Sequence, residues 1–220
     1  MRLVADHISK RYESGGIEDL SFLIEPESFT LVKGESGVGK TTLLNVITGC
    51  LHPDCGAVYI DGREIYTQMK RHERTALLQH KIGYMMQGIS LIPSMSVYDN
   101  ILYPYKLNNT ACKDITDRID EIFEELGIAN IKQSTPARIS AGEYRRVLLA
   151  GVLCKRPQVL IADEPTSNLD EKTADLVRQT LYDYVSANNS VIVATHDYKF
   201  ADADRIIHLS NQKDDVKGVY

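Results

Sequence analysis

The residues Gly34-Glu35-Ser36-Gly37-Val38-Gly39-Lys40-Thr41 match the pattern G-x-x-x-x-G-K-[ST], and Thr42 continues the run. These types at this spacing suit one piece of chemistry, the grip on a polyphosphate. Glycines let the backbone curl so that successive N–H groups point inward, and a following helix adds the positive end of its dipole. Lys40 in such a loop reaches the β and γ phosphates, and the Thr41 hydroxyl ligates Mg²⁺. A second candidate is the acid pair Asp163-Glu164, which follows the apolar run Val159-Leu160-Ile161-Ala162. Surface acid pairs are common, but buried strands rarely end in two unpaired carboxylates without a ligand or metal to meet them. Asp163 is placed to hold Mg²⁺, directly or through water. Glu164, one residue on, points to the other side of the strand or past its end, where it can polarise a water for attack on a γ phosphate. His196 ends another apolar run, Val191-Ile192-Val193-Ala194-Thr195, and can contact the same phosphate, although a lone histidine in a turn is more often structural. Ser140-Ala141-Gly142-Glu143 fits the capping box S-x-x-E. A glycine-containing helix N-terminus is also an anion site, and the two roles are compatible.

These groups need strands that end together and helices that start beside them. Phe29 to Lys33 reads as a buried strand, and Lys40 to Thr48 repeats Leu, Val and Ile at helical spacing. Residues 2–8 and 20–24 are expected as short strands around the turn Glu13-Ser14-Gly15-Gly16, with Tyr12 an ordinary strand-end aromatic by its position alone. Further strands are expected at 57–60, 82–86, 159–164, 191–194 and 206–209. Helices are expected at 68–80, 97–107, 114–126, from Ser140 onward, and at 171–187. Strands alternating with helices predict an α/β fold with a parallel sheet. The span 88–156 is a helical insert in that alternation.

The composition sets outer limits. The chain has 220 residues, 43% of them hydrophobic, enough for one domain with a full core. A net charge of -5 offers no global attraction to nucleic acid, and none is expected as a partner. Cys50, Cys55, Cys112 and Cys154 are scattered, which reads as free thiols of a reducing compartment. The N-terminus meets charge at once, so no signal peptide is expected, and no apolar run approaches the roughly 18 residues that span a bilayer. The tail from Ser210 onward is polar and short, and no regulatory domain is expected after it.

Taken in order, the motifs resemble the ATP-binding subunit of an ATP-binding cassette (ABC) transporter, and the likeness covers nearly the whole chain. GESGVGKT at 34–41 looks like the family's Walker A, Gln87 like its Q-loop glutamine, and ISAGE at 139–143 like its signature. VLIADE at 159–164 looks like Walker B, SNLD at 167–170 like the D-loop, and His196 like the switch histidine. The resemblance implies a P-loop NTPase core with a mostly parallel sheet, an antiparallel β subdomain and a helical subdomain. The expected division of the single domain 1–220 is 1–87 and 157–220 for the core with its β subdomain, and 88–156 for the helical part. It implies ATP and Mg²⁺ as ligands, with Glu164 and His196 catalytic and Thr41, Gln87 and Asp163 at the metal. Tyr12 would stack on adenine, and Asp170 would line the nucleotide site. A head-to-tail homodimer would sandwich two ATP molecules, so that Ser140 and Gly142 act in trans. The resemblance further implies an integral membrane permease as partner, with the chain held on the cytoplasmic face of the cell membrane through it.

Within the family, PTSNLD at 165–170 and the segment 86–97 look most like the lipoprotein-release, macrolide-export and antimicrobial-peptide-resistance ATPases. A non-transport regulator of the cell-division type is the alternative, and a DNA-repair or translation ATPase is disfavoured by the single set of motifs. The signature departs from the usual LSGGQ at Ile139, Ala141 and Glu143. Ala141 is tolerated at negative φ, and Glu143 places a charge, partly neutralised by the helix end, where the charge of ATP arrives, so retained but slow hydrolysis is expected.

Overall fold

The computed structural model describes residues 1–13, 15–107, 112–186 and 188–210, and the side chains of Cys112 and Lys113 are not among the groups described. Ser14 of the expected turn, Ala187 at the end of an expected helix, and the tail from residue 211 lie outside the described residues.

Two sheets organise the chain. The first is antiparallel, with β1 (Leu3–Tyr12), β2 (Gly15–Ile24), β4 (Cys55–Ile60) and β5 (Arg63–Glu64) in the order β2-β1-β4-β5. The second contains β3 (Phe29–Lys33), β6 (Ile82–Met85), β7 (Val159–Asp163), β8 (Ser190–Thr195) and β9 (Arg205–His208) in the order β6-β7-β8-β3-β9, with every pairing parallel. Among the described residues, six α-helices join them: α1 (Lys40–Ile47), α2 (Arg71–His80), α3 (Val97–Leu107), α4 (Cys112–Glu125), α5 (Ala141–Leu153) and α6 (Glu171–Tyr184). Among the described residues, no helix is long and apolar enough to cross a membrane.

The near-continuous apolar runs of β3, β7 and β8 have a direct cause, since a parallel sheet is covered on both faces. Successive side chains alternate between two cores. Leu160 and Ala162 of β7 and Val191 and Val193 of β8 pack with α3, α4, α5 and α6. Val159, Ile161, Ile192 and Ala194 face the opposite way, onto α1 and the antiparallel sheet. The insert thus stands on one face of the sheet and the phosphate-loop helix on the other.

The first two strands are longer than the sequence suggests. Asp6, His7, Ser9 and Lys10 break the apolar pattern of β1, yet the strand continues through register shifts between Ala5 and Lys10. His7 (φ 48°) and Asp19 (φ 49°) take left-handed backbones there, the mark of a bulge that re-aims the strands without ending them.

Candidate functional site

Parallel strands deliver their C-terminal ends to one sheet edge, where ligands of open α/β folds collect. Asp163 ends β7, Thr195 ends β8, residues 34–39 follow β3, and Gln87 lies in the turn after β6. The pairings Lys33–Thr195 and Asp163–Ala194 set three of these ends side by side.

The loop is shaped by glycine where no other residue fits. Gly39 caps α1 with φ 107°, and a Cβ there would lie 2.7 Å from the Gly16 carbonyl oxygen of β2. Val38 anchors the loop in the core, while Glu35, Ser36 and Gly37 are exposed above it. Helix α1 opens with Lys40, Thr41 and Thr42, so its first turn carries no acid to oppose the dipole. Lys40 is only 7% exposed. Its Nζ donates to the Gly34 carbonyl at 2.8 Å and the Glu35 carbonyl at 3.0 Å.

Glu164 neither continues the strand nor leaves it for solvent. Its left-handed backbone (φ 49°) folds the side chain back across the strand ends, where it is 8% exposed. One carboxylate oxygen lies 3.4 Å from Lys40 Nζ, the other accepts from the buried Thr195 hydroxyl at 3.2 Å, and His196 Nδ1 is 2.9 Å away. A non-glycine residue in this backbone region costs about 1–2 kcal/mol, and such strain collects at functional sites. Lys40, Glu164 and His196 therefore meet at one point, although they come from three separate segments.

Asp163 is 1% exposed, and its Oδ2 accepts from the Thr41 hydroxyl at 2.6 Å. Burial pushes the carboxyl above its usual range, against the Thr41 hydrogen bond. Its Oδ1 is buried with no hydrogen-bond partner. An orphaned carboxylate oxygen beside a hydroxyl is a hard-oxygen pair that fits Mg²⁺, an ion that takes few protein ligands and completes its shell with phosphate and water.

Five expected residues, Gln87, Tyr12, Asp170, Ser140 and Gly142, form no hydrogen bond with Lys40, Glu164 or His196 among the described residues. Gln87 is exposed, and Tyr12, 49% exposed, closes β1 opposite Gly15. Asp170 serves as the N-cap of α6, accepting from the Thr173 amide and hydroxyl. Ser140 caps α5 in the expected capping box: its amide and hydroxyl both donate to Glu143 at 2.8 Å, which holds the Glu143 carboxyl below its usual range. Ala141 has no positive φ, as the first turn of a helix requires. Ser140 lines a cavity of about 430 Å³ with Ile89, Tyr144, Arg145 and Asn168, a lining that includes no residue of 34–41. Thr195, Thr166 and Asp197 escaped the reading of the sequence. The triplet Thr195-His196-Asp197 at a strand end was their sole signal, since Thr166 reaches Asp197 only in three dimensions, at 2.9 Å.

Comparison with known proteins agrees with this geometry. The family model described as ABC transporter matches residues 17–167. The chain is 35% identical over 207 residues to the lipoprotein-releasing system ATP-binding protein LolD 1 of Rhodopirellula baltica, covering 91% of this chain and 90% of that one. It is 31% identical over 194 residues to the cell division ATP-binding protein FtsE of Escherichia coli, covering 87% and 86%. Among solved structures, the dimeric ATP-binding cassette MJ0796 in a post-hydrolysis state with ADP and Pi superposes with a TM-score of 0.86 at 28% identity, over 95% of this chain and 94% of that chain. With a phosphate loop, a buried acid pair and a histidine converging at one sheet edge, the chain belongs to the ABC transporter ATP-binding family and is an ATPase with that family's α/β P-loop fold.

Proposed function

We propose that this chain powers a membrane permease, as one of two identical subunits that close head-to-tail on two ATP molecules. Residues 34–42 hold the triphosphate, with Lys40 leaving the Gly34 and Glu35 carbonyls for the β and γ phosphates, and Tyr12 stacks on adenine. Thr41, Asp163 and Gln87 hold Mg²⁺, which neutralises phosphate charge when bound. Glu164 accepts a proton from the attacking water, and His196 holds the γ phosphate and the Glu164 carboxylate in register. Ser140 and Gly142 complete the site from the second subunit, alongside Asp170.

The single observation that carries this reading is the position of the Glu164 carboxylate, held between Lys40, Thr195 and His196. A base must lie within reach of both its proton and the group that orients it. The division into a core with its β subdomain (1–87 and 157–220) and a helical subdomain (88–156) is part of the same proposal. It is supported by the insert helices sharing one core on one face of the sheet. LolD 1, named for lipoprotein release, supports an exporter or a lipoprotein- or peptide-handling system at the inner face of the cell membrane.

The test is Glu164→Gln. ATP binding should persist within about threefold, turnover should fall by two orders of magnitude or more, and ATP should trap a dimer on size exclusion. Unchanged turnover removes Glu164 from the role of base.

A further inference from the structure

His196 is an exposed ring between two anchored neighbours. Thr195 is fully buried at the end of β8, and Asp197 on the other side is clamped from three directions. The Asp197 carboxylate accepts from Arg178 Nη1 at 2.6 Å, from the Thr166 hydroxyl at 2.9 Å and from the Lys199 amide at 3.0 Å. The Asp197 amide donates to Thr195 Oγ1 at 3.0 Å, and that hydroxyl donates to Glu164 at 3.2 Å. Arg178 Nη2 also donates to Glu171 and Asp175 of its own helix, each at 2.6 Å. One guanidinium therefore ties the start of α6, just after the D-loop, to the segment that carries His196.

Packing does not explain an arginine at this position. Ala174, Val177 and Leu181 form the buried stripe of α6, and Arg178 belongs to that stripe at 6% exposure. Burying a charge is costly, and a whole buried ion pair replaced by apolar side chains of similar volume is often neutral or stabilising, so burial alone does not favour a charged pair here. What arginine adds is a planar fork whose two ends reach different carboxylates at once.

We propose that Arg178 is a positioning residue for ATP hydrolysis, which through Asp197 sets the backbone of His196 and the Thr195 hydroxyl against Glu164. The inference rests on the assignment of Glu164 and His196 made above. Because Arg178 bonds to Asp197, Glu171 and Asp175 and not to the loop at 34–42, its loss acts on the chemical step and spares nucleotide affinity.

The experiment compares ATP turnover, ATP affinity and thermal midpoint for the purified full-length chain. For Arg178→Met, kcat is expected to fall about 30-fold, the cost of a small misplacement of reacting groups, with the ATP Kd within about twofold and the midpoint lowered, because Asp197 is left without its cation. Arg178→Lys keeps the charge but engages fewer partners, and recovers part of the rate. Asp197→Asn lowers kcat in the same way, and the double variant Arg178→Met/Asp197→Asn stays within about twofold of the slower single variant, because both act through one contact. A folded Arg178→Met with kcat within about twofold of the parent overturns the proposal, as do losses that multiply in the double variant. If Arg178→Met does not fold, Asp197→Asn and Arg178→Lys decide: reduced kcat at unchanged Kd supports the proposal, and unchanged kcat overturns it. Glu164→Gln is run alongside. Full turnover there overturns the catalytic assignment itself, whereas loss there beside full turnover in Arg178→Met overturns only the role of Arg178.

Discussion

Asp163 and Glu164 are adjacent in the chain and meet unlike surroundings. Glu164 is turned among a lysine, a threonine and a histidine. Asp163 keeps one oxygen on Thr41 and the other buried and unpaired, and its carboxyl is shifted upward, first by burial and with the Glu164 charge adding to it. An acid whose folded pKa lies above its unfolded value binds its proton more tightly when folded. Its contribution to stability is therefore largest at low pH and declines as the pH rises through the folded value. Above the folded value the ionised Asp163 is held against its burial, at a cost to the fold. Asp163→Asn keeps the shape and the acceptor for Thr41, and should raise the thermal midpoint at pH 7 by about 2–4 °C per kcal/mol relieved. Mg²⁺-dependent turnover should fall by about two orders of magnitude or more in the same variant. A lower midpoint would show that the attraction of Lys40 outweighs burial at this carboxyl.

At the scale of elements, the start of α5 separates stability from function. Ser140 and Glu143 form a closed capping box, so the helix end is satisfied within its own chain. Gly142 follows in the first turn, where a Cβ would make only an ordinary contact, 3.5 Å from the Thr173 methyl. Nothing inside the chain requires glycine there. Gly142→Ala should therefore stabilise the protein by roughly 0.5–1 kcal/mol through helix propensity, read as a raised denaturation midpoint. If a partner's γ phosphate approaches this turn closely, the same change should cut turnover at least about tenfold. Equal turnover would remove Gly142 from the site. The helix was legible from its cap and its apolar period, and so was α3. The lengths of β1 and β2 were not, because their continuation past polar residues depends on a bulge, and pairing across strands overrides local propensity. The helix expected to reach 187 has its last helical residue at Tyr184, with Val185 already extended.

At the scale of the molecule, residues 34–41 contribute nothing to the cavity that Ser140 lines, although the proposal assigns both to a nucleotide. The proposed head-to-tail pair would resolve this, with a two-fold axis bringing each loop to the other subunit's α5. Lys40→Ala and Ser140→Ala should each be nearly inactive alone. Mixed in equal amounts, half of the dimers are hybrids in which one site carries both defects and the other carries neither. The mixture should recover up to about a quarter of parental turnover, and no recovery would place both groups in one subunit's own site. The sequence by itself determined the family, the parallel α/β core and the identities of the phosphate loop, the acid pair and the histidine, because those depend on residue types at fixed short spacings. Only the tertiary structure decided that Glu164 turns back onto Lys40 and His196, that Asp163 is left with an unpaired oxygen, and that Arg178 reaches Asp197 from another element. Those outcomes depend on which strand ends lie side by side, and a parallel sheet sets that by pairing segments far apart in the chain.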